Sequence, residues 1–381
     1  MANPQSRVRG RASQVSRAFA AGFAVVVLAS ACGGARPPAT EEPVLNIYNW
    51  ADYIGHHTIA EFEAATHIKV VYQTYDSNET LEANLMVGHS GFDLVSTTTG
   101  FYARQIRAGA YLPLDKSQLP NFKNIDPAVL AIQAQADPGN RYAVPYLHAM
   151  NGFVYNIDEI QARMPDAPTD SLAMIFKPNV IAKFADCGVT FLDSAEDVLQ
   201  LALAYLHRDP NSRSIDDLNA AEQVVMAIRP YIRTFDSNDY WHQLASKDTC
   251  LAIAWSSDYS VAQERAREDG TGVRLAFTLP KEGSNITYNA FLIPASAPHP
   301  QAAHKFLNFI LQPKVIAEIT NDIYYGNDNL LARPYVKQSI LDDPAIYPPP
   351  QVRTRLYLPE EFGPDYDRAR TRVWTRIKTG H

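Results

Sequence analysis

The fold is decided by residues 45–97. This stretch carries LNIYNW (45–50), TIAEFEAAT (58–66), KVVYQTY (69–75), NETLEANLMVG (78–88) and FDLVST (92–97) in that order. The first, third and fifth pieces are short and apolar, which suits buried strands. The second places Ile59, Phe62 and Ala65 at helical spacing; the fourth does the same with Leu81, Leu85 and Met86 and stops at a glycine. Strand, helix, strand, helix, strand at this spacing predicts parallel strands joined by right-handed crossovers, and hence an α/β architecture.

Further along, the same grammar recurs. A helix is expected near 177–186, a strand at VTFLD (189–193), helices over 194–207 and 216–228, and a strand at CLAIAW (250–255). Two such sections imply two α/β lobes. YAVPYLHAMNGFVYN (142–156) is long, extended and barely charged, as expected of a chain passing from one lobe to the other. VRLAFTLP (273–280) and ITYNAFLIP (286–294) are placed to return, with helices expected over 301–311 and 315–320. No internal repeat is visible.

The chain has 381 residues, 46% hydrophobic and 20% charged, enough for a full core in each of two domains and incompatible with disorder or coiled coil. Its formal charge is −7, and without the four arginines of the first 31 residues it would be −11. An acidic surface repels nucleic acid and anionic lipid and favours cationic ligands.

Residues 1–31 read as a targeting segment: arginines up to Arg17, then the apolar run 18–31, too short for a bilayer that needs roughly 20 apolar residues. LASAC (28–32) is similar to a bacterial lipoprotein cleavage box that would leave Cys32 lipidated, although Leu28 stands one position early; plain signal cleavage nearby is the alternative. GGARPPATEEP (33–43) has the composition of a tether. If Cys32 is acylated, an exported chain keeps Cys187 and Cys250 as a pair, each at the mouth of an apolar strand; two free buried thiols are the alternative.

In open parallel sheets ligands gather beyond the carboxyl ends of strands. Trp50, Asp52 and Tyr53 follow the first strand, Thr97 and Thr98 the third, Asp193 and Asp197 follow VTFL, and Trp255, Ser256, Ser257 and Asp258 follow LAIA. Aromatics beside carboxylates suit an organic ammonium, through ring quadrupoles and charge-assisted hydrogen bonds. Each residue also has a structural reading: Asp52 and Asp258 as helix caps, Asp197 in a capping box with Ser194, the tryptophans as core. No nucleophile elbow, HExxH, CxxC, phosphate loop or dinucleotide fingerprint is present, so neither an enzyme nor a cofactor is expected.

These motifs together resemble the periplasmic putrescine-binding proteins of polyamine ABC transporters, from about residue 45 to 379. The resemblance is carried by LNIYNWADYI (45–54), KVVYQTYDSNE (69–79), GFDLV (91–95), CGVTFLD (187–193), DTCLAIAWSSD (248–258), QPKV (312–315), YYGNDN (324–329), DPAIYPP (343–349) and RTRVWTRIKTG (370–380). It implies a two-lobed type II periplasmic binding protein fold, with lobe 1 at 44–146 and 273–322, lobe 2 at 147–272 and 323–381, and a polyamine in the cleft. It further implies a monomeric receptor, without cofactor, that hands its ligand to a membrane permease and meets the membrane only through a lipid; a sensing or interaction lipoprotein is the alternative. By matching position the ligand set is Trp50, Asp52, Tyr53, Thr98, Asp197, Trp255, Asp258, Thr287, Asn289 and Tyr325. Asp197 replaces the family's longer glutamate, and Thr287 and Asn289 stand where it commonly has an aromatic and an aspartate, so the ligand's second ammonium loses a partner.

Overall fold

The computed structural model describes residues 43–51, 53–75, 78–88 and 90–380. Parallel β1 (Val44–Trp50), β2 (Lys69–Tyr75) and β3 (Leu94–Thr98) are joined by helices Thr58–Thr66 and Asn78–Met86, as the opening stretch predicts. β1 pairs with β2 from Val44 opposite Lys69 to Trp50 opposite Tyr75, and lies between β2 and β3. Leu45, Ile47, Phe62, Leu81 and Leu94 of these strands and helices are fully buried, whereas Val71 and Met86 are exposed.

The crossing strand β4 (Val144–Asn156) is one continuous 13-residue element. It is followed by β5 (Val189–Phe191), β6 (Thr234–Phe235), β7 (Leu251–Trp255), β8 (Leu275–Thr278), β9 (Ser284–Leu292), β10 (Gly326–Asn327) and β11 (Leu356–Tyr357). Up to Met150, β4 pairs antiparallel with β9, whose other edge runs antiparallel to β3. From Asn151 onward it pairs with β7, and from Phe153 also with β8. A single strand thus threads two sheet regions, and its near-complete burial explains why it carries almost no charge. Gly152 sits where β4 meets β8; a Cβ there would stand 2.2 Å from the Thr278 carbonyl oxygen.

The buried side chains separate into cores on the two sides of this crossing. One runs through Leu45, Phe62, Leu147, Phe291 and Phe306 and takes in Ala332, Val336, Ile340 and Ile346; a smaller neighbour holds Tyr48, Tyr75, Tyr102 and Leu292. The other gathers Phe153, Phe176, Phe191, Leu201, Ile253 and, from the last helix Pro364–Thr379, Val373, Trp374 and Ile377. This is the two-lobed α/β arrangement expected.

Cys187 and Cys250 form a disulfide with Cα atoms 5.6 Å apart, spanning 63 residues. Parallel pairing of Val189 with Leu251 brings the two cysteines to the same end of β5 and β7. The chain-entropy model gives such a bridge about 4 kcal/mol. The expected helix over 177–186 instead breaks into Ala173–Phe176, Pro178–Ile181 and a 3-10 turn Ala182–Phe184. Pro178 has no N–H to continue a preceding helix and serves as the first residue of the next. The targeting segment, Cys32 and the tether up to residue 42 lie outside the described residues. Among those described, no helix is long and apolar enough to cross a membrane.

Candidate functional site

Strands β1, β3 and β7 end at Trp50, Thr98 and Trp255, so their carboxyl ends deliver the residues that sequence reasoning singled out. They assemble into two walls, one on each core.

The first wall is aromatic and uncharged among its described residues. Trp50 packs on Tyr75 with ring centres 4.4 Å apart. Tyr53, only 4% exposed, meets Tyr325 edge-on at 4.5 Å and Tyr146 at 5.7 Å. Asn289 Nδ2 donates to the Tyr53 hydroxyl at 2.9 Å, while Asn289 Oδ1 is buried without a partner. Burial, and then the neighbouring Tyr325, Tyr146 and Tyr75, push the Tyr53 hydroxyl well above its usual range.

Tyr325 is held by local backbone geometry. Helix Pro313–Ile323 terminates at Tyr324 with φ 61°, a left-handed conformation uncommon outside glycine. Gly326 then lies flat on the His148 ring, where a Cβ would stand 2.2 Å from Nε2. Thr98 pairs with Asn289 across β3 and β9, and its hydroxyl accepts from Asn78 Nδ2 at 3.2 Å. Thr287 is partly buried, opposite Ala149, and two residues before Asn289 on the same face of β9. Asp52 lies outside the described residues.

The second wall holds the carboxylates. Asp258, in the first turn of helix Ser256–Glu268, accepts from the Tyr240 hydroxyl at 2.6 Å and from Ser257 Oγ at 3.3 Å. Burial pushes its carboxyl up to about 6, against the opposing pull of those two donors. Tyr240 is fully buried, and its oxygen also accepts the Trp255 backbone N–H at 3.2 Å, so it fixes both the acid and the end of β7. Asp197 accepts from Asn151 Nδ2 at 2.6 Å and Asn285 Nδ2 at 3.1 Å. Burial raises its pKa too, while Ser194, the two asparagines and the Trp255 indole favour the charged form. The walls approach each other: Tyr325 of the first stands near enough to Tyr240 of the second to raise its pKa further.

Of the capping box, only half forms. The Asp197 N–H donates to Ser194 Oγ at 3.3 Å, but the Asp197 carboxylate reaches into the asparagine pair instead. Asp193 leaves the site, held by the Trp374 indole at 2.9 Å and Lys378 at 3.0 Å. Ser256 Oγ accepts the Met150 N–H at 3.3 Å, tying β7 to the crossing strand.

Sequence reasoning missed Tyr240, Asn151, Asn285 and Tyr146. Tyr240 opens a short helix after the two-residue β6, which the sequence did not announce, and the others lie inside β4 and β9 and not at a strand end. A polar asparagine in such a strand was the only available signal.

A separate cavity of about 500 Å³, lined among others by Arg107, Gln135, Arg213, Glu360, Glu361 and Phe362, contains none of the predicted site residues. Its cations are already paired, Arg107 with Glu361 and Arg213 with Glu360. It therefore lacks the combination of rings and available acids that marks the two walls. Among the described residues no cluster of three or more histidines, cysteines or carboxylates is arranged to hold a metal.

Comparison with known proteins places the whole chain in a family. The putrescine-binding periplasmic protein PotF of Escherichia coli is 44% identical over 90% of this chain and 93% of its own length. SpuD, a putrescine-binding periplasmic protein of Pseudomonas aeruginosa, is 41% identical over 94% and 97%. Among solved structures, a putative spermidine/putrescine ABC transporter protein of Listeria monocytogenes superposes with a TM-score of 0.79 at 27% identity, covering 89% of this chain and 99% of that one. The family description "Bacterial extracellular solute-binding protein" matches residues 57–344. With a two-lobed α/β fold, a family match over residues 57–344 and relatives 41% and 44% identical along nearly its whole length, the chain belongs to the bacterial extracellular solute-binding proteins.

Proposed function

We propose that this protein captures a polyamine between its two walls and delivers it to the permease of an ABC transporter. The observation that carries the reading is the Tyr240–Asp258 pair beside Trp255, with Asp197 in the same wall, facing Trp50, Tyr53 and Tyr325. A partly buried carboxylate and electron-rich ring faces are what an alkylammonium needs once it leaves water. The reading also takes support from relatives named as putrescine-binding and putrescine/agmatine-binding proteins.

In this reading the lobes hinge about β4 and β9, near Met150 and Ile286, where β4 exchanges its partner β9 for β7. The segment 323–346 is assigned to the first lobe, because Ala332, Val336, Ile340 and Ile346 pack in its core. That moves it from the lobe 2 allotment drawn on the sequence. A ligand touching both walls favours the closed arrangement only through contacts the open one lacks. The receptor acts as a monomer, with residues 1–31 removed and a lipid on Cys32 as its sole hold on the membrane. A structural relative at 27% identity is a lipoprotein of Treponema pallidum.

Calorimetric titration of the soluble part with putrescine, cadaverine, agmatine and spermidine tests the reading, and binding of none of them rejects it. Fractionation of cells carrying Cys32→Ala tests the anchor: the change should release the protein, and a wild type already free of membranes removes that element.

A further inference from the structure

The two walls are chemically unequal, and the inequality points to a narrower ligand class; the argument rests on the amine-binding reading above. Asn289 is 6% exposed, its amide nitrogen is committed to the Tyr53 hydroxyl, and its carbonyl oxygen is buried with nothing to accept from. On the same end of the sheet, two strands away, the Trp50 indole N–H is also buried and has no acceptor. The first wall therefore presents one orphan acceptor and one orphan donor. Each carries an uncompensated desolvation cost until a ligand reaches it.

A free ammonium satisfies only half of this. It offers hydrogens to Asn289 Oδ1 but nothing for Trp50 to donate to. It would also leave a charge opposite a wall where every ionisable described group acting on the Tyr53 hydroxyl is another tyrosine. A secondary amide fits both demands without a charge, its N–H toward Asn289 and its C=O toward Trp50. Thr287, on the Asn289 face of β9, is partly buried and smaller than the aromatic ring the family commonly carries there, so it takes up less of that face. The other wall, with Asp258 and Asp197, remains suited to an ammonium.

We propose that the preferred ligand is a monoacylated diamine, with its free ammonium on the Asp258 wall and its amide between Asn289 and Trp50.

The test is calorimetry with putrescine, N-acetylputrescine and butylamine on the wild type and on Asn289→Asp, Trp50→Phe and Asp52→Asn, with circular dichroism to confirm folding. N-acetylputrescine should bind the wild type at least about tenfold more tightly than putrescine. Asn289→Asp should reverse that order by supplying a charge for the second ammonium. Trp50→Phe keeps a ring but removes the indole donor, and should abolish the preference for the acetylated ligand. Putrescine binding the wild type more tightly than its acetyl derivative would overturn the proposal while leaving the amine-binding reading intact. The same holds for an unchanged ligand ratio in Asn289→Asp or Trp50→Phe, or for Asp52→Asn weakening putrescine about tenfold more than N-acetylputrescine. If the folded wild type binds none of the three amines, both proposals fall.

Discussion

The wall built on Trp255 and the wall built on Trp50 are both strand ends bearing a tryptophan, and they have been equipped in opposite ways. Behind Trp255 stand two carboxylates, each held by donors that belong to the protein: Tyr240 and Ser257 on Asp258, Asn151 and Asn285 on Asp197. Behind Trp50 the described polar groups are neutral, and two of them lack partners. The carboxylates of the acidic wall are thus hydrogen-bonded from within, although Asn151 Oδ1 beside Asp197 has no partner, and they are electrostatically costly, because burial opposes their charges. The neutral wall is electrostatically cheap and incompletely hydrogen-bonded. A cation relieves the first kind of cost and a neutral donor–acceptor group relieves the second, which is why the ligand proposed above has two unlike ends.

The largest effect expected from breaking this contrast is on stability. Among the described residues, the disulfide lies in the lobe of the acidic wall. Replacing both Cys187 and Cys250 with alanine should lower unfolding stability by about 4 kcal/mol in urea titrations. Ligand affinity at room temperature should stay nearly constant; a loss of affinity larger than the loss of stability would mean that the bridge positions the site directly.

Next in size is Asp258→Asn, which should weaken amine binding by about 1.5–3 kcal/mol, the range for a hydrogen bond to a charged group. A dissociation constant that does not move would remove Asp258 from the site.

Proton and cation compete for that same carboxylate. With its pKa near 6, lowering the pH from 7 to 5 should cost about tenfold in affinity, and Asp258→Asn should flatten the profile. Stability of the free protein runs the other way. An acid whose folded pKa exceeds the unfolded value of roughly 3.9 contributes stability that is full below that pH and lost as the pH rises through about 6. Tyr240→Phe should move the affinity midpoint upward, since the Tyr240 donor holds the Asp258 pKa down. A midpoint that falls in this variant would contradict the assignment.

A paired comparison, whose smaller member is the smallest effect expected, separates the walls most directly. Tyr240→Phe removes a donor to a charged acceptor and Tyr53→Phe removes an acceptor for a neutral amide, so their costs in stability should be about 1.5–3 and 0.5–1.5 kcal/mol respectively. Equal losses in thermal unfolding would show that the charge on Asp258 does not strengthen its bond.

Much of this molecule was written into short stretches of sequence. Apolar runs with period-two or helical spacing placed β1, β2, β3 and the helices between them, because local pattern sets which face of an element can be buried. The uncharged length of 142–156 announced a strand shared by two lobes. Strand ends pointed to Trp50, Thr98, Trp255 and Asp258, since open sheets expose their carboxyl ends. What the sequence could not say is how those residues are partnered. Tyr240 finds Asp258 from 18 residues away, Asn289 finds Tyr53 across 236, and Asn151 reaches Asp197 across 46. Which core Ala332, Val336, Ile340 and Ile346 join was equally invisible, because apolar residues suit either core until packing chooses one. Periodicity determines that a residue is buried; only the tertiary arrangement determines against what, and in a buried site the hydrogen-bond partners and the available charge decide the chemistry.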